Sequence, residues 1–260
     1  MNKVFSYGAD AFSLKMLALI FMVIDHIHTY LNLGPEWISI LPRFVAPLFV
    51  FFIVEGFFNT RNINAYFQRI LLFAVIMLTG NIAINLIFNN TDILTGKLTF
   101  YSIVSGNNIF LTLAVFLYIL ICIDKIRREK VASKKIFMII FTAIFMFLSL
   151  FCEGGIYLLP LLIIFYVFHG NKKYISVGVI IWSVFIFIKA IFNYFSGATG
   201  LDLFSTLCFN SEWAMIFALF PILLYNGKRG RNDAFAKWIF YFVYPIHLWI
   251  LRSIYLIFIK

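Results

Sequence analysis

Charge is what this 260-residue chain has least of: 12% of its residues are Asp, Glu, Lys or Arg, and the acids are the scarcer, 11 against 21 bases. An ordinary soluble domain is about one quarter charged, so that class is excluded. Cysteine is nearly absent too. Cys122, Cys152 and Cys208 stand far apart with no C-x-x-C spacing, which excludes a thiolate zinc site and a disulfide framework; no metal is expected. No stretch reads as a Walker or dinucleotide fingerprint, so nucleotide hydrolysis has no support. With no repeat, low-complexity tract or linker, residues 1–260 read as a single domain. What fills the chain is 63% hydrophobic residues and 20% aromatics.

Such a composition belongs to a membrane. A span needs about 20 mostly apolar residues, and apolar runs between breakers predict an all-α polytopic bundle of about nine transmembrane helices, within a range of eight to ten. The predicted spans are Ser13–Leu33, Ile40–Phe58, Tyr66–Phe88, Asn108–Ile123, Lys135–Leu150, Gly154–Phe168, Tyr174–Phe195, Trp213–Tyr225 and Trp238–Ile259. The first run carries Asp25 and His26 and no small-residue cleavage site follows it, so it is expected to stay as a span rather than be removed as a signal peptide.

Cytoplasmic loops collect Lys and Arg, and alternate loops separate cleanly here. Lys3 and Lys15, Arg61 and Arg69, the loop "DKIRREKVASKK", Lys172 and Lys173, and the run "GKRGRN" all fall on one side. The loops around Glu36, Asp92, Glu153, Asp202 and Glu212 hold almost no bases. The N-terminus is therefore expected inside and the C-terminus outside, in a bacterial cytoplasmic membrane. The net charge of +10 follows from this topology and from anionic lipid headgroups, so no nucleic acid is implied.

Ionisable groups inside the hydrocarbon are costly and usually face a bundle interior or a wet cavity. Counting about 1.5 Å per residue from the basic end places Asp25 and His26 at about 18–20 Å, Arg43, Asn81, Lys189 and Arg252 at about 21–22 Å, and His247 at about 14 Å. A polar layer in the outer half of the membrane is predicted. The first two spans are joined by a short loop and pack antiparallel, which brings Arg43 toward Asp25 as an ion pair. Asp25 and His26 point about 100° apart, so the acid does not orient its neighbour. Arg43, Pro47, Phe51 and Glu55 recur every four residues as a stripe fit to line a channel. At the inner surface, "VEGFFNTRN" and "LLYNGKRGRN" combine glycine turns with bases, suited to a phosphorylated ligand or to lipid headgroups.

The blocks "KMLALIFMVIDHI", "LPRFVAPLFVFFIVEGFFNTRN", "NNIFLTLAVFLYIL", "EGGIYLLPLLIIFYVFHGNK", "ALFPILLYNGKRG" and "YFVYPIHLWIL" resemble, in order, the TraX family, named for the F-pilin acetylation protein. The resemblance covers nearly the whole chain. It departs at "TGNIAIN", Thr79–Asn85, where the family tends to a Ser-Glu-Ile-Pro type stretch, and this leaves the acceptor open.

That resemblance implies a membrane-embedded acetyltransferase using acetyl-CoA as co-substrate. The phosphates would dock at Arg61, Arg69, Lys228 and Arg229, beside Glu55 and Asn226. The catalytic set would be His26, with Arg43, Asn81 or His247 at the developing oxyanion and Asp25 holding Arg43. The acceptor would be the amine of a peptide or pilin N-terminus, or a hydroxyl of an envelope glycan, at the outer side. A secondary transporter or channel that uses the buried Asp, His and Arg as relays is the competing class, and a catalytically silent scaffold the third.

Overall fold

A computed structural model describes residues 8–92 and 94–259. Lys3, one of the orientation-setting bases, lies outside the described residues. The order of helices is α1 (Ala11–Leu31), two 3-10 turns (Glu36–Ser39 and Leu41–Phe44), α2 (Val45–Asn59), α3 (Ile63–Ile87), α4 (Phe100–Val104), α5 (Ile109–Arg128) and α6 (Ala132–Ser149). Then come α7 (Gly155–Val167), α8 (Lys172–Phe195), α9 (Leu203–Phe209), a 3-10 helix (Ser211–Ala218), α10 (Leu219–Leu224) and α11 (Ala234–Phe258). The described residues contain no strand, only one isolated parallel bridge between Ala9 and Tyr225.

Every predicted run has a helical counterpart. Among the described residues, seven helical segments are long and apolar enough to cross a membrane, and an eighth is obtained if α9 and the Ser211–Leu224 segment, bent by 62°, count as one broken span. The chain is a multi-pass helical membrane protein. Its exposed faces agree: on α1, Leu17, Ile20, Ile24 and Ile27 are uncovered while Leu14, Ala18, Leu19 and Met22 are buried. A lipid-facing surface takes such side chains without penalty, whereas water would not.

The few polar residues sit where helices begin. Asp10, Asn62, Asn108, Asn171 and Asp202 each accept a backbone N–H from the first turn of α1, α3, α5, α8 and α9. Asp233 does the same for Ala236 of α11 at 2.8 Å. A carboxylate or amide in that position satisfies a donor that the helix leaves orphaned.

Contacts divide the chain into two compact units, each discontinuous in sequence: residues 1–52 with 163–247, and residues 53–162 with 248–260. In the first unit, α1 packs on both early 3-10 turns, and Leu41–Phe44 packs on Ser211–Ala218, which also lies against α8. An N-terminal strap closes it at the basic end. Ala9 N–H donates to Leu224 O and Asn226 N–H to Ala9 O, while Ala11 and Phe12 donate to the carbonyls of Lys228 and Arg229.

In the second unit, α5 is the centre, with α3 on one side and α6 on the other. Phe116, Leu117, Ile119, Leu120, Leu158 and Leu161 are buried there almost without exposure. Gly80 of α3 allows Trp249 to lie flat on the helix, since a Cβ built at that position would stand 2.1 Å from the indole.

Candidate active site

In the first unit, α1 and α11 bring two imidazoles together. His26 Nδ1 lies 2.8 Å from His247 Nε2, with the rings stacked at 5.0 Å between centroids. His26 is buried at 9% exposure, and the Tyr244 ring stands edge-on to both, 6.3 Å from His26 and 5.9 Å from His247. His247 Nδ1 is 2.6 Å from Val243 O. A carbonyl only accepts, so His247 carries its proton on Nδ1. In the neutral pair its Nε2 is then the acceptor, His26 donates from Nδ1, and His26 Nε2 is left with a bare lone pair. The arrangement produces a base whose tautomer is set by a partner 221 residues away. Pro245 is not the source of that carbonyl: the group it leaves without a helical donor belongs to Tyr241, four residues before it, whereas Val243 is four before His247.

The expected Asp25–Arg43 ion pair does not form. Arg43 Nε instead donates to Ser211 Oγ at 2.7 Å, and Asp25 Oδ1 is buried with no hydrogen-bond partner among the described residues. Arg43 and His28 are within electrostatic reach of that carboxylate, but the guanidinium is turned toward the 3-10 helix Ser211–Ala218. Both ends of the Arg43–Ser211 bond thus sit in 3-10 helix, Leu41–Phe44 and Ser211–Ala218. Eight residues is long for that geometry, which often marks a strained or functional segment. His28 turns to Leu33 O at 2.8 Å near the end of α1, and Lys189 is exposed on α8.

The stripe on α2 is packed rather than open. Pro47 and Phe51 are buried, and the Phe51 ring meets Phe165 and Tyr225 edge-on at 5.6 and 5.8 Å. The four-residue spacing placed these side chains on one face, but aromatic rings from distant segments fill the space beside them.

At the basic end of the same unit, Lys15 is half-buried with Nζ 4.8 Å from the centre of the Phe52 ring, and Arg229 is close enough to repel it. No carboxylate bridges to Lys15 among the described residues. Lys228 and Arg229 are exposed. Asn226 organises the loop that carries them, donating to Gly8 O at 3.1 Å and accepting from Lys228 N–H at 2.9 Å. Lys172 Nζ closes the end of α10, donating to Leu223 O and Tyr225 O.

The other candidate residues belong to the second unit. Asn81 donates to Asn107 O at 3.1 Å and accepts from Trp249 Nε1 at 3.2 Å. Arg252 donates from Nε and Nη2 to Asn85 Oδ1 and from Nη2 to Ser105 Oγ. Glu55 accepts from the Asn59 amide one turn on at 3.3 Å, and Arg61 and Arg69 are exposed at the start of α3. Ser211, Tyr244 and Lys15 were absent from the sequence-derived site. The signal for Lys15 was present, a base inside an apolar helix, but topology absorbed it. Ser211 gave none, because its place depends on the bend at Asn210. No cluster suited to a metal ion occurs among the described residues.

A family model described as "TraX protein" matches residues 11–255. The chain is similar to a probable fimbrial assembly protein FimC, serogroup H1, of Dichelobacter nodosus, 27% identical over 268 residues that cover 94% of this chain and 95% of that protein. No solved structure matches.

Proposed function

Because the chain belongs to the TraX family, we propose that it is a membrane-embedded acetyltransferase acting in the assembly of surface fimbriae or pili, with nine spans, N-terminus inside and C-terminus outside. Acetyl-CoA is the cytosolic donor. The acceptor, at the outer side, is the amine of a peptide such as a pilin N-terminus or a hydroxyl of an envelope glycan. The carrying observation is the His26–His247 pair, which leaves an unprotonated nitrogen on a buried ring.

In this reading His26 Nε2 takes the proton as the acceptor nitrogen or oxygen attacks the thioester carbonyl. The C–S bond breaks, the imidazolium returns its proton to the departing thiolate, and CoA thiol and acetylated acceptor remain. If acetyl passes through the protein, the same nitrogen is the nucleophile. His247 is a positioning residue that fixes the tautomer, and Arg43, anchored by Ser211, is placed to offset negative charge on the carbonyl oxygen. Asn81 lies in the second unit with both ends of its amide engaged, and it serves by bracing α3. At the basic end of the first unit, Lys15, Lys228 and Arg229 take the phosphates of the donor on the loop built by Asn226. The pantetheine arm reaches inward only if Phe51 swings from its aromatic nest.

The test is purified protein with radiolabelled acetyl-CoA and envelope extract. Label is expected in an acceptor fraction with the wild type and not with His26→Ala, at equal expression. Retained turnover in His26→Ala removes the imidazole from the mechanism. A second reading, a proton-coupled transporter, rests on the buried Asp25 Oδ1 without a hydrogen-bond partner. It predicts substrate uptake into sealed vesicles that depends on a proton gradient, is lost in Asp25→Asn and needs no acetyl-CoA.

A further inference from the structure

The guanidinium of Arg252 is held from one side only. Asn85, with no exposure at all, receives Nε at 3.0 Å and Nη2 at 2.6 Å, and Ser105 Oγ receives Nη2 at 3.1 Å. Asn85 is itself fixed by donating to Ile103 O and Ser105 O, both at 2.8 Å. All of these partners are neutral. Glu153, an acid of the same unit, is turned elsewhere, toward Asn107 Nδ2 and the Asn108 N–H at the start of α5. Among the described residues no carboxylate bridges to Arg252, and Nη1 makes no hydrogen bond.

Gly106 stands against that free arm. It has φ +141, and a Cβ there would come 3.0 Å from Arg252 Nη1 and 2.7 Å from Asn81 Nδ2. Its own N–H donates to nothing among the described residues. The half-buried Arg252 thus keeps two unspent donors on a fixed guanidinium with no bridging carboxylate among the described residues. The position is far from the basic loops: Asn85 lies about 33 Å along α3 from its start beside Arg61.

We propose that Arg252 Nη1, which Gly106 approaches closely without covering it with a side chain, binds an oxyanion, a phosphate or carboxylate reaching the protein from the end opposite its basic loops. The assignment is independent of acetyl transfer. A planar guanidinium whose orientation is already fixed loses little freedom on binding, and with Nε and Nη2 spent on Asn85 and Ser105 the two hydrogens of Nη1 are the donors left for such a group. Phosphate reaches this site either from a lipid headgroup or from a soluble molecule, and the two are separable.

The test uses the full chain in nanodiscs of phosphatidylcholine. In one arm inorganic phosphate is titrated and thermal unfolding followed; in the other, phosphatidylglycerol replaces part of the lipid and retained lipid is counted by native mass spectrometry. A saturable stabilisation in the first arm assigns the site to soluble anions, and one retained lipid in the second assigns it to a headgroup. In either case binding is expected to weaken at least tenfold in Arg252→Gln and a few-fold in Ser105→Ala, which leaves the cation in place but loosens it. Should Arg252→Gln fail to fold, Arg252→Lys keeps the charge without the fork and is expected to bind at least threefold more weakly. No response in either arm, or equal binding by the wild type and these variants, overturns the proposal.

Discussion

The two units treat buried polarity in opposite ways. In the second, Asn81, Asn85, Asn108 and Glu153 are spent largely on backbone groups, Arg252 Nη1 being the exception: Asn108 Nδ2 donates to Ala74 O, the Glu153 carboxylate accepts from Asn108 N–H, and the amide of Asn85 spans two loop carbonyls. A network closed on the backbone fixes where helices end and how loops run. In the first unit the polar groups meet each other and leave loose ends, the Nε2 lone pair of His26 and Oδ1 of Asp25. Closed networks hold shape, and open ones are available for chemistry.

Substitutions that reverse these roles test the contrast. The largest effect is expected from Asn85→Ala, which strips Arg252 of its main acceptor and two carbonyls of their donor. Unfolding in mixed micelles is expected to register a loss of about 3–5 kcal/mol, while His26→Ala, which leaves a small cavity and strands only the neutral Nε2 of His247, is expected to lose about 1–2 kcal/mol by the same measurement. A loss equal to that of Asn85→Ala would erase the distinction. Next, His247→Gln keeps bulk near His26 but no longer fixes its tautomer. A fall in kcat of roughly 10- to 100-fold with unchanged thermal stability is expected, and the pH profile of the residual activity should shift. Third, Lys15→Met removes a base beside Arg229 without an acid to strand; KM for acetyl-CoA is expected to rise about tenfold with kcat nearly constant.

The smallest effect lies outside both networks. Backbone and side-chain hydrogen bonds from Ser205 hold the Asp202 carboxyl below its usual range. A depressed carboxyl contributes above its unfolded value and ceases to contribute as pH falls through the folded one. Hydrogen exchange at Ser205 and Thr206 is therefore expected to quicken below about pH 4, with the histidine pair unaffected by Asp202→Ala. Protection that is flat with pH removes the cap from the account.

Much of the scaffold was readable from hydrophobic run length and the Asn or Asp at each helix start, because a membrane leaves backbone groups few alternatives. α4 and α9 were missed, being five and seven residues long and too short to register as spans. For the site, residue type sufficed to single out His26, Arg43 and His247, since imidazole and guanidinium stand out in apolar helices. Pairing did not follow from depth. Axial spacing fixes how far along a helix a residue lies but not how that helix is rotated against a distant one. Arg43 therefore went to Ser211, whose position arises from a 62° bend that no local pattern announces. The same limit hid the rings of Phe165 and Tyr225 around Phe51.

The separation of the two imidazoles along the chain carries a consequence for biosynthesis. His26 enters the membrane early in translation and His247 near its end, so a growing polypeptide holds no working pair until α11 is inserted. Fragments that end before α11 therefore lack the histidine pair, and under the proposed function they carry no transfer activity.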